Sequence, residues 1–137
     1  MLSGEDEDNV EERQRVIVVD AMNVRGCVPD GWWRDPDAAL VRLVEAIAGH
    51  EWGDEWVLVV ADGNPVVGAP AGTRGQVELR YAGHCAPDAA DDVIVDVVID
   101  DDESGVTVVT SDRGLIARLP AAVTVQGAKA FRHRVGW

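Results

Sequence analysis

The chain has 137 residues, 47% of them hydrophobic and 27% charged. That is the size of one domain able to bury a core without disulfide staples. No apolar run approaches the ~20 residues that span a bilayer, and the first fifteen residues lack the basic and apolar segments of a signal peptide. Cys27 and Cys85 form no CxxC pair, so the expectation is a cytoplasmic protein with no membrane partner.

The net charge of −13 disfavours a polyanionic partner unless charge is segregated. It is segregated along the chain. Residues 1–15 carry six acids against Arg13 and Arg15, the pattern of a solvated, disordered tail, and residues 16–137 are expected to form the domain. Residues 88–112 hold nine acids and no Lys or Arg, whereas residues 113–137 hold five basic residues and no acid. An acidic centre loaded with metal beside a basic rim could grip a phosphate backbone; solvated faces remain the plain alternative.

Residues 16–19 (VIVV) are a continuous apolar run, as in a strand buried on both faces of a parallel sheet. Residues 21–35 read as a loop. Asp35 then caps a helix with Pro36 at its first position, Leu40, Leu43, Val44 and Ile47 recur at helical spacing, and Gly49 ends it. Residues 56–63 predict a second strand stopping at Asp62. Residues 64–75 are rich in Gly and Pro and predict a loop. Residues 77–83 alternate as an edge or half-exposed strand does. A second helix is expected from near Pro87, with Ala90, Val93, Ile94, Val97 and Val98 as its apolar stripe, and residues 100–104 (DDDES) as a solvated end. A strand over 106–112, a short helix stopped by Pro120, a strand over 123–127 and a terminal helix complete the chain.

Strands alternating with helices imply an α/β fold with a mostly parallel sheet, whose ligands bind at the carboxyl ends of the strands. Three predicted strands end on aspartate: Asp20, Asp62 and Asp112. Asp88, Asp91 and Asp92 open the second helix. The helix dipole favours acids there by ~0.3–1 kcal/mol each, which explains Asp88 better than Asp91 or Asp92. Converging carboxylates repel unless a cation joins them, and an all-oxygen set selects Mg²⁺ or Mn²⁺. No GxSxG, GxxxxGK[ST] or GxGxxG motif and no His/Cys cluster is present.

The segments VVDAMNVRG, VVADG, DAADDVIV and VTSDRGL together resemble the NYN domain family, in its YacP-like branch, within the PIN-like nuclease superfamily. The resemblance implies a PIN-like, Rossmann-like three-layer fold and a metal-dependent ribonuclease cutting RNA endonucleolytically with a metal-activated water. It implies Asp20 as the first-strand metal ligand and Asn23 as the polar residue that organises the loop or touches the scissile region. Asp91 and Asp92 become the paired helix acids and Asp112 the acid of the TSD motif. Asp88 stands where the branch has a longer glutamate. Asp62 reads as a turn residue.

Arg25, Arg34 and Arg113 flank the acidic motifs and are candidates for phosphate, with Ser111 as a further substrate-binding or capping residue. Trp32 and Trp33 read as a hydrophobic lid, or as a surface on which RNA bases stack. The alternative function is a non-catalytic RNA- or partner-binding module that keeps the fold. A monomer and a homodimer are both compatible with the sequence.

Overall fold

The computed structural model describes residues 15–100 and 105–137. The expected tail, apart from Arg15, and all of the expected solvated helix end except Asp100 lie outside the described residues.

Six strands form one sheet: β1 (Val16–Asp20), β2 (Trp56–Ala61), β3 (Gly72–Arg74), β4 (Val77–Tyr81), β5 (Val106–Val109) and β6 (Thr124–Gln126), in the order β3-β4-β2-β1-β5-β6. Only the β3–β4 pairing is antiparallel. The helices are α1 (Ala21–Gly26), α2 (Pro36–Gly49), α3 (Ala89–Asp100), α4 (Arg113–Arg118) and α5 (Ala128–Val135), with a 3₁₀ turn at Trp32–Arg34. Among the described residues, no helix is long and apolar enough to cross a membrane.

The period of two in a strand assigns the two faces. Ile17, Val19, Val57, Val59, Val77 and Leu79 pack with α1, α2 and α5 through Val24, Leu40, Leu43, Ile47 and Phe131. Val18, Leu58, Val60, Val106 and Val108 face the other way and pack with α3 and α4 through Ala90, Ile94, Val98 and Leu115. Both faces are covered, as the continuous apolar runs require. Parity therefore puts Asp20, two residues beyond Val18, on the face where α3 lies.

Three stretches differ from the sequence expectation: 21–35, 72–74 and 110–112. The loop expected over 21–35 contains α1 and the 3₁₀ turn. Six residues are too few to display a helical period, but Ala21 and Val24 are buried three apart and the Asp20 side chain accepts from the Asn23 amide. β3 lies inside the loop expected over 64–75; its three side chains are all exposed, so it carries no hydrophobic signal. Its pairing makes β4 an interior strand, and the alternation of β4 arises because Glu78 and Arg80 pair with each other on the side that the helices leave open. The strand expected to reach Asp112 stops at Val109, and Asp112 instead caps α4.

The connections set the location of the site. After β1 the chain moves to β2 and β4 on one side, then returns through α3 to place β5 on the other side of β1. That reversal opens a crevice beyond the carboxyl ends of β1 and β5, where open α/β sheets bind ligands.

Candidate metal centre

Asp20 leaves β1 pointing into this crevice and is only 4% exposed. Its Oδ2 accepts a hydrogen bond from the Thr110 hydroxyl at 2.9 Å, and its Oδ1 a long one from the Asn23 amide at 3.5 Å. Thr110 follows Val106 and Val108 on the same strand face, which aims its hydroxyl at Asp20. The same hydroxyl oxygen accepts from the Asp112 amide at 3.1 Å. Thr110 thus joins two acids, and the sequence reading passed over it. The signal was available in the shared parity of 16, 18, 20 and 106, 108, 110.

Asp112 caps α4, its Oδ1 accepting from the amides of Gly114 at 2.8 Å and Leu115 at 3.4 Å. Its turn is strapped from the opposite side. The Asn23 side-chain oxygen accepts from the Ser111 amide at 2.7 Å, and the Ser111 hydroxyl accepts from the Ala128 amide at 2.9 Å. Asn23 is therefore a positioning residue for the β5–α4 turn. Ser111 caps α5, whose own N-cap, Gly127, has no side chain to do so.

Asp91 comes from the first turn of α3. One carboxylate oxygen each of Asp20, Asp91 and Asp112 lie within 4.8 Å of one another. Met22, Asn23, Asp62, Asp88 and Ala90 complete the lining of an open cleft of about 290 Å³. At an effective dielectric of about 20, two unit charges at that separation repel by roughly 3 kcal/mol before salt screening. The protonation equilibria register the repulsion. Burial first, and then the charges of Asp91 and Asp112, raise the Asp20 carboxyl to about 6 against the opposing bonds from Thr110 and Asn23. Asp91 is also raised, first by burial, then by Asp112 and Asp88.

The remaining predicted residues lie around this group. Asp92 turns to Arg118, whose Nη2 is 2.8 Å from Oδ1. Neighbouring helical residues project about 100° apart, so Asp91 and Asp92 do not aim at one point. Asp88 lines the cleft but stays outside the three-oxygen group; it has a left-handed backbone (φ 67°), and its carbonyl accepts from the Asp92 amide at 2.9 Å. Asp62, at the end of β2, accepts from the Ala90 amide at 2.9 Å and so caps α3 from a neighbouring strand. Arg25 donates to the Pro36 carbonyl at 3.4 Å and lies over the Trp32 ring. Arg34 and Arg113 are exposed, and neither forms an ion pair among the described residues.

The three converging side chains offer only carboxylate oxygen, the donor type of Mg²⁺ and Mn²⁺. Arg118, whose charge reaches Asp91, is held by Asp92, and among the described residues Asp20, Asp91 and Asp112 form no ion pair. A divalent cation fits that arrangement.

No protein-family model matches the chain, and no curated protein does. Its fold is similar to that of the crystal structure of a mutant of Rae1 (YacP) from Bacillus subtilis. The TM-score is 0.65 at 20% sequence identity, over 90% of this chain and 76% of that one.

Proposed function

We propose that the chain is a metal-dependent ribonuclease that hydrolyses RNA phosphodiester bonds endonucleolytically. The observation that carries this reading is the convergence of Asp20, Asp91 and Asp112, from three separate elements, on one point at the carboxyl edge of the sheet. The fold likeness to YacP agrees with the motif resemblance to the YacP-like branch.

In this reading Asp20, Asp91 and Asp112 would hold Mg²⁺ or Mn²⁺, with Asp88 lining the same cleft. The ion, when bound, lowers the pKa of a water and neutralises charge on the phosphodiester. The chain's own contribution is to keep three acids ionised and fixed. Thr110 stabilises the charged form of Asp20 by donating to it, and Asn23 holds the turn that presents Asp112. The exposed guanidinium of Arg113, next in sequence, is positioned to take a phosphate of the bound strand. Asp92 acts through Arg118, not on the ion. The protein works in the cytoplasm as a monomer or homodimer.

The rival reading is a binding module without catalysis. It is favoured by Asp88, where a short side chain on a left-handed backbone stands in place of a longer acid. Incubation with single-stranded RNA and Mn²⁺, beside Asp20→Asn and Asp91→Asn variants, decides between them. Cleavage lost in both variants supports the nuclease. Cleavage absent from the parent protein, or unchanged in the variants, refutes it, and calorimetric Mn²⁺ binding without cleavage supports the module.

A further inference from the structure

The 3₁₀ turn, packed against α1 and α2, exposes an aromatic surface that the acidic centre does not use. Trp33 is 52% exposed, the most exposed of the tryptophans. It does not hang loose. Its ring meets Trp32 edge-on, with centroids 6.1 Å apart and planes at 85°. Trp32 is itself pinned: the Arg25 guanidinium lies 4.9 Å from its ring centroid, and Gly26 packs so close that a Cβ there would come within 3.3 Å of the ring. The turn is fixed by Gly31 at φ +90° and by the Trp32 amide donating to Asp30, which Arg132 grips at 2.9 Å.

The surface is also joined to the cleft. α1 carries Met22 and Asn23 into the cleft lining and Arg25 one turn later, on the same helical face as Met22. Burial lowers the pKa of Arg25, and the charges of Asp37 and then of the cleft residue Asp62 oppose that shift. Of the acids around the turn, Asp30 is paired with Arg132, Asp35 caps α2 through the Ala38 amide at 3.1 Å, and the exposed Asp37 acts on Arg25. The outward-facing groups of the turn are then the Trp33 ring and the exposed Arg34, with the half-buried Arg25 lying over the Trp32 ring. A protein partner would call for a broader apolar patch; a single rigid ring beside cations suits a base and its phosphate.

We propose that Trp33, braced by Trp32 and Arg25, is a stacking platform for one nucleobase of a single-stranded RNA that runs into the acidic cleft. The direction of the strand rests on the nuclease reading; the stacking does not. A base stacked on Trp33 holds the strand without reading its sequence, so the platform is sequence-tolerant.

The test is fluorescence anisotropy of the full chain with a labelled ten-residue oligouridylate and with an abasic ribose-phosphate strand of equal length, at low salt with Ca²⁺. Trp33→Ala is expected to weaken binding of the oligouridylate by roughly 5- to 150-fold, the range of one stacked base. Trp33→Phe is expected to stay within about threefold of the parent, and the abasic strand to be indifferent to either change. Equal binding of the oligouridylate by the parent and Trp33→Ala, or an equal loss for the abasic strand, overturns the platform. Mn²⁺-dependent hydrolysis of bis(p-nitrophenyl) phosphate by the parent protein reports the metal reading separately. Its absence, together with a Trp33-dependent loss of oligouridylate binding, refutes the nuclease and leaves the platform standing.

Discussion

Replacing Asp20 by asparagine should stabilise the metal-free protein while removing its response to metal. The carboxyl is 4% exposed, and its pKa rises from 3.8 to about 6 on folding. Between those values the folded chain holds a proton that the unfolded chain has released, so the stability of the metal-free protein falls as pH rises through this window. A rise of about two units amounts to at most ~3 kcal/mol by pH 7. Asparagine removes the charge and can keep both contacts: its oxygen accepts from the Asn23 amide, and its NH₂ donates to the Thr110 oxygen, which has a second lone pair free. In EDTA at pH 7.5 the variant should be ~1–3 kcal/mol more stable, a Tm higher by roughly 3–5 °C per kcal/mol. The difference should shrink to nothing near pH 4. Added Mn²⁺ should raise the Tm of the parent only. Thermal and urea melts from pH 4 to 8 measure all of this. A variant less stable at pH 7.5, or a gap that ignores pH, would refute the charge-repulsion account.

Three further outcomes follow from the same geometry. In calorimetric titration, Asp91→Asn should weaken Mn²⁺ binding at least ~10-fold and Asp92→Asn by less than ~3-fold; the reverse order would mean that the ion sits on the Arg118 side of α3. Thr110→Val keeps the shape but leaves the Asp112 amide and one Asp20 oxygen without a partner, so urea melts should show a loss of ~1–3 kcal/mol, and the pH midpoint for Mn²⁺ binding should move upward because the Asp20 anion loses a donor. Gly63→Ala puts a side chain at φ +76° with its Cβ 3.0 Å from the Cys85 Sγ. Its Tm should fall by an amount equivalent to more than ~1 kcal/mol, and an unchanged Tm would show that the 83–88 loop yields freely.

Burial patterns made part of this molecule legible. β1, β2 and β5 announce themselves as unbroken Val-rich runs because both faces of the sheet are covered, and α2 because Asp35, Pro36 and Gly49 mark its ends. The elements that escaped are those whose cause is not local. β3 exists because β4 offers it an edge, not because GTR prefers extension. α1 exists because Asp20 caps it and the core takes Ala21 and Val24. Inside the site, an apolar run ending on a carboxylate was enough to single out Asp20, but the separation of Asp91 from Asp92 needed the rotation of α3 about its axis. Which side of that helix meets the cleft is set by Ala90, Ile94 and Val98 packing on the sheet, a tertiary fact.

The acids at the sheet edge differ in what a purely structural account can absorb. Asp62 caps α3, Asp112 caps α4, and Asp20 accepts from the first turn of α1; each has a local reason to be a short acid even without a ligand. Asp92 is paired with Arg118. Asp91 is different. Among the described residues its carboxylate accepts no hydrogen bond, and burial and three neighbouring acids push its pKa up. The helix dipole returns at most ~1 kcal/mol. A half-buried carboxylate that caps nothing and pairs with nothing, directed at two others, weakens the fold that carries it. Structural roles therefore account for Asp20, Asp62 and Asp112 one at a time but not for the presence of Asp91 between them. A cation shared by the three accounts for all of them together, and Asp91 is the position on which that interpretation stands or falls.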